Sequence, residues 1–172
     1  MSNELYTSAM YAKGLADAAD LQSRAPEMDG TALYAEEDKI PDFQAARQAK
    51  NMNQRKAGRE DGFMCRSTAG HVMRLNQNYD SDTYPQEPED PSLAAFWIFV
   101  YSKNPKKARP FLNSSAHMSE SYYSLDECCT ENGHVYRSTL NGANVWAPSV
   151  TPQYWEDLGT IEEVMAQEWD VA

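Results

Sequence analysis

The chain has 172 residues, 41% of them hydrophobic, and carries 26 Asp and Glu against 15 Lys and Arg for a net charge of -11. That length suits one ordinary domain or two small ones, and an acidic chain repels phosphate backbones, which argues against nucleic acid as a partner. The three cysteines, Cys65, Cys128 and Cys129, are an odd set with two neighbours, the usage of a chain folded in a reducing cytosol rather than of a disulfide scaffold.

No apolar run approaches the ~20 residues of a membrane span, so no membrane partner is expected. The first residues lack the basic segment and apolar core of a signal peptide. The chain is therefore expected to be made and kept inside a cell, or to leave it by lysis or within an assembled particle.

Residues 3–24 read as a helix, with Leu5, Ala9, Ala12, Ala16 and Ala19 at 3–4 residue spacing and Leu15 beside them. An alanine stripe buries little area, so the helix is expected to gain its stability in a bundle, by oligomerisation or docking; the alternative is a frayed terminus. Pro26 and Asp29-Gly30 end it. A linker follows, with Leu33, Tyr34 and Ile40 as apolar anchors. Pro41 is placed as a first-turn proline for a second helix over 42–56, with Phe43, Ala46, Ala49 and Asn53 on one face. The basic residues Arg47, Lys50, Arg55, Lys56 and Arg59 read as its solvated face.

Residues 63–75 alternate as a hairpin about Ala69-Gly70. Val72 and Arg74 are expected on one face, Met73 and Leu75 on the other. Residues 79–91 form a proline-rich acidic loop without calcium-binding grammar. The aromatic and branched run 96–101 is the strongest strand, apolar on both faces and expected to be buried on both. Phe111-Leu112 makes a short apolar return, and 113–121 a polar linker. Thr160 with Glu163 marks the capping box of a last helix, its face made by Ile161, Val164, Met165 and Glu168/Trp169.

No arrangement of chemical groups points to an enzyme. His71, His117 and His134 lie in separate segments, without zinc-ligand spacing. Cys128 and Cys129 are adjacent on a strand and so face opposite ways, which disfavours a shared metal with His134. Ser67 or Cys65 with His71 is a weak nucleophile–base pair, and neither a nucleophile elbow nor a phosphate loop occurs. No cofactor is expected.

Aromatic residues carry the stronger signal. Tyr122, Tyr123, Tyr136, Trp146, Tyr154 and Trp155 fall within residues 122–158, beside the turn signals Asn132-Gly133 and Asn141-Gly142. Flat, rigid rings stack on the apolar faces of sugars at little entropic cost. Tyr136 and Trp155 are expected in the core, and Trp146, near a turn, is expected to be exposed. The alternative is that all of these rings fill a small β core.

Residues 126–158 resemble the small chitin-binding-type carbohydrate-binding modules found at the ends of chitinases. The resemblance is carried by Glu131-Asn132-Gly133-His134-Val135-Tyr136-Arg137-Ser138, Asn144-Val145-Trp146-Ala147-Pro148 and Tyr154-Trp155-Glu156-Asp157-Leu158. Where enzyme-borne modules carry a further aromatic pair on the second strand, this chain has Arg137-Ser138-Thr139. Upstream, residues 36–43, 62–67, 79–81 and 97–111 resemble small proteins of phage and prophage tail gene clusters in Gram-positive bacteria. The resemblance implies a virion tail, baseplate or fibre component, assembled in the host cytoplasm as a homotrimer with other tail proteins.

The expected fold is α+β: N-terminal helices, a central mixed region with a hairpin, and a small C-terminal three-stranded β module. The expected divisions are 1–28 for the docking helix, 29–116 for the body, 117–159 for the β module and 160–172 for the last helix. The β module is expected to contact a cell-wall or surface glycan through Trp146, with Tyr154 and Asn144 beside it. The alternatives are a pure assembly or adaptor protein and a soluble carbohydrate-binding protein.

Overall fold

The computed structural model describes residues 3–48, 64–113 and 120–171. Helix α1 spans Asn3–Arg24, α2 Gly30–Ala35 and α3 Phe43–Gln48. Strands β1 (Met64–Arg66), β2 (Val72–Leu75) and β3 (Trp97–Val100) form an antiparallel sheet in that order. Strands β4 (Arg109–Pro110), β5 (Cys128–Glu131), β6 (His134–Ser138) and β7 (Trp155–Thr160) form the second sheet, and helix α4 (Ile161–Ala166) follows. The fold is α+β, as expected. Among the described residues no helix is long and apolar enough to cross a membrane.

The period-2 pattern of the first sheet gives it two buried faces. Register pairs Cys65 with Met73, Met73 with Phe99 and Leu75 with Trp97. These residues join one core cluster with Phe43, Ala46, Tyr79 and Tyr101. Met64 and Val72 face the other way, into a cluster with Leu21, Ala25, Leu33, Tyr34 and Ile40. Val72 and Met73 thus fall on opposite faces, as the alternation predicts, whereas the strand expected to be buried on both faces buries Trp97 and Phe99 and leaves Ile98 and Val100 half-buried.

Local chemistry sets where the helices sit. The Asp29 carboxylate caps α2 by accepting from the Ala32 N–H at 2.8 Å. The Tyr34 hydroxyl accepts from the Val72 N–H at 2.9 Å and donates to the Val100 carbonyl at 3.1 Å, bridging paired residues of β2 and β3. A Cβ on Gly30 would fall on the Tyr101 carbonyl oxygen, so only glycine lets α2 come this close. Glu37 holds Lys107 and Arg109 at 2.6 Å each, linking this helical segment to β4.

Three expectations are corrected. Pro41 precedes α3 rather than opening it: the Asp42 carbonyl accepts the first helical hydrogen bond, from Ala46, while the Pro41 carbonyl accepts from the Arg66 N–H at 2.8 Å. Its segment is thereby drawn to the edge of β1. The expected continuation of this helix to residue 56, with Ala49, Asn53 and most of the basic residues, lies outside the described residues, as does His117.

Second, the C-terminal sheet has four strands, because Arg109 and Pro110 pair in parallel with Cys129 and Thr130. Phe111 and Leu112, before the division expected at residue 116, pack with Tyr123 and Trp155, after it. Third, the last helix buries Val164 but exposes Ile161 and Met165. It is only six residues long and turns one narrow stripe onto Cys128 and Val135. Its capping box is present, with the Thr160 hydroxyl accepting from the Glu163 N–H at 3.2 Å and the Glu163 carboxylate accepting from the Thr160 N–H at 2.8 Å.

Candidate functional site

The site lies on the loop between β6 and β7. The hairpin beneath it turns at Asn132-Gly133, both in the left-handed region at φ 51° and 81°, as an Asn-Gly two-residue turn requires. This turn sets the register of β5 against β6. Cys128 and Cys129 then point to opposite faces, the first toward Val135 and Val164, the second into the shared core. Burial pushes the Cys128 thiol up to about 12 and the Cys129 thiol higher still.

Asn144 organises the loop. Its backbone exchanges both hydrogen bonds with Tyr123, at 3.0 and 2.9 Å, so Tyr123 acts as a one-residue partner strand. Its side-chain amide donates to Ser138 Oγ at 3.1 Å and to the Tyr154 carbonyl at 3.3 Å, and its oxygen accepts from the Trp146 N–H at 3.4 Å. The Trp146 carbonyl in turn accepts from Trp155 Nε1 at 2.9 Å. Further along, the Glu131 carboxylate accepts from the Ser149 N–H and hydroxyl at 2.8 and 3.0 Å, tying the loop to β5.

The outcome is a half-exposed indole on a fully anchored backbone. Trp146 is 46% exposed, and its ring lies 6.0 Å from that of Tyr154, with 41° between the planes. Tyr154 is half-buried and packs on the shared core. Two of the three residues expected at a sugar site are therefore brought together at the surface. Asn144 is not: it is 0% exposed, and its amide is taken up by the loop's own polar groups. It holds the backbone of Trp146 and Tyr154 in place and presents no group at the surface, since a buried amide must satisfy its hydrogen bonds where it is. Ser138 and Glu131, which complete this support, carry no signal in the sequence beyond being polar residues on strands.

The other aromatics divide unevenly. Trp155 is buried as expected, and Tyr123 is wholly buried. Tyr136 is only partly buried, and stacks on His134 with centroids 6.2 Å apart. His134 Nδ1 lies 3.0 Å from both Asp157 carboxylate oxygens, and this hydrogen bond holds the Asp157 carboxyl below its usual range.

Ser67 and His71 do come together, with Glu89 between them. The Ser67 hydroxyl donates to the Glu89 carboxylate, which sits 2.7 Å from His71 Nδ1. His71 Nε2 is 2.7 Å from the Pro110 carbonyl, and the ring is 1% exposed. Both ring nitrogens are thus occupied by protein acceptors, and no face is open to a substrate. The group clamps the hairpin turn to the acidic loop and to β4. Among the described residues no group of three or more His, Cys, Asp or Glu side chains is placed to hold a metal ion.

Comparison with protein-family models, with characterised proteins and with solved structures finds no match.

Proposed function

We propose that this chain is a structural component of a phage or phage-derived tail, baseplate or fibre, presenting the β6–β7 loop to a cell-wall or surface glycan of the host. The observation that carries the glycan part is Trp146: a large apolar ring left 46% exposed while the backbone on both sides of it is pinned by buried groups. Holding an indole rigid in water serves stacking, because little flexibility is left to lose on binding. The placement of the chain in a tail rests on the sequence resemblance. It assembles with other tail proteins in the host cytoplasm and resides in the virion.

The N-terminal helix supports assembly in several copies, as a homotrimer. Leu15 is 53% exposed, and Ala16 and Ala19 are exposed as well, so the described part of the alanine stripe is not used by the chain itself. Several copies would raise a weak single-site affinity. The second reading, an assembly module without a glycan, is favoured by the exposed Ile161 and Met165, which give α4 an uncovered apolar edge. Retention on purified Gram-positive cell walls, compared between the native chain and Trp146→Ala, separates the two. The glycan reading expects retention that is lost in the variant; equal retention of both, or of neither, overturns it.

A further inference from the structure

We infer that the Trp146–Tyr154 site seats a single, freely turning glycan chain and not the flat face of a crystalline polysaccharide. This rests on the glycan reading above and narrows its ligand.

A sugar's apolar face gains contact with an aromatic ring only when the two lie parallel. The planes of Trp146 and Tyr154 differ by 41°, so a flat array of sugars laid on one ring is inclined by that angle to the other. The crystalline face can then engage one ring at most. A single chain turns about its glycosidic bonds and can place adjacent units on the two planes.

The angle is held by the fold. Tyr154 is packed on the shared core, its N–H donates to the Thr151 carbonyl at 3.0 Å, and its carbonyl accepts from Thr139 at 2.9 Å and from Asn144. Trp146 is anchored through its N–H and its carbonyl, and its ring is braced by Tyr154 at 6.0 Å, within the ~4.5–7 Å range of touching aromatic pairs. Flattening the pair would require Tyr154 to leave the core or the Trp146 ring to turn off its contact with Tyr154.

The test sets soluble against crystalline forms of the same polymers. The full chain is titrated with chitohexaose and with cellohexaose, following tryptophan fluorescence and calorimetry, and is co-sedimented with microcrystalline chitin and cellulose. The expected result is binding of at least one hexamer, weakened tenfold or more by Trp146→Ala, with no more retention on either solid than the variant shows. Retention on a solid that the matching hexamer fails to displace would overturn the inference and leave the glycan reading standing. Binding of neither form of either polymer overturns the inference, and the glycan reading falls with it only if the native chain also fails to be retained on Gram-positive cell walls.

Discussion

Tyr101 and Tyr123 stack face to face, with ring centroids 3.7 Å apart and 15° between their planes. One follows the last strand of the first sheet, and the other pairs with Asn144 of the β6–β7 loop. The Tyr101 hydroxyl donates to the Ser121 carbonyl at 2.9 Å, and the Tyr123 hydroxyl accepts from the Leu112 N–H at 3.1 Å. Burial holds both phenols well above the ordinary tyrosine range. The support of the Trp146 loop is thus continuous with the core of the central sheet.

Tyr123→Phe keeps the ring but leaves the Leu112 N–H without its acceptor. The expected loss is about 1–3 kcal/mol, the cost of an orphaned buried donor. Tyr123→Ala is expected to cost about 3–5 kcal/mol, as for other large-to-small changes of buried aromatics. Chemical denaturation followed by far-ultraviolet circular dichroism and by tryptophan fluorescence checks both. The two probes are expected to report one transition, since the sheets share a core; separate transitions would break that account.

Gly30→Ala drives a methyl group onto the Tyr101 carbonyl oxygen, which is backbone and cannot swing aside. The helix former alanine would otherwise stabilise α2, so the sign of the change is diagnostic. A loss of about 1–3 kcal/mol is expected from the overpacking. Thermal melts of the variant beside Gly14→Ala, where an added Cβ meets nothing within 4 Å, provide the contrast.

Glu127 gives the pH dependence a definite sign. Burial raises its carboxyl from 4.5 to about 7, while the hydrogen bond from the Ser124 N–H and the charge of Lys103 pull the other way. Its folded value lies above its unfolded one, so the folded chain binds more protons between them. Stability from this group is full below about 4.5, falls as pH rises, and is lost above about 7. Glu127→Gln retains an acceptor for Ser124 and removes that loss. It is expected to stabilise the chain at pH 8 by on the order of 2 kcal/mol and to change little at pH 4. Denaturation midpoints of both proteins across that range measure it.

Asn144→Ala and Trp146→Ala should separate support from contact. The first removes a buried amide that serves Ser138, Tyr154 and Trp146, with an expected loss of about 1–3 kcal/mol. The second removes a half-exposed ring and is expected to stay within about 1 kcal/mol of the native chain. Glycan binding should fall in both, but only Asn144→Ala should shift the melting temperature strongly. Loss of stability in Trp146→Ala comparable to that of Asn144→Ala would assign the indole to the core.

Elements ruled by local pattern were legible beforehand. The alternation through 64–75 placed Val72 and Met73 on opposite faces, Asn132-Gly133 placed a two-residue turn, and Thr160 with Glu163 placed a capping box. In each, the deciding interaction spans a few residues. Exposure of Trp146 was legible for a similar reason, since it follows a turn and precedes Ala147-Pro148.

What sequence alone could not decide were contacts between distant segments. The amide of Asn144 reads as a surface group beside a tryptophan, and only its meeting with Ser138 and Tyr154 in space shows it to be buried. Arg109 and Pro110 carry no strand signal in the sequence, because a two-residue parallel strand has no period of its own and is defined only by its partner β5. By itself the sequence determined which residues turn, cap and alternate, and that Trp146 would stand exposed beside a turn. The tertiary structure decided which polar groups are desolvated and which ring planes lie parallel, since both depend on neighbours many residues away.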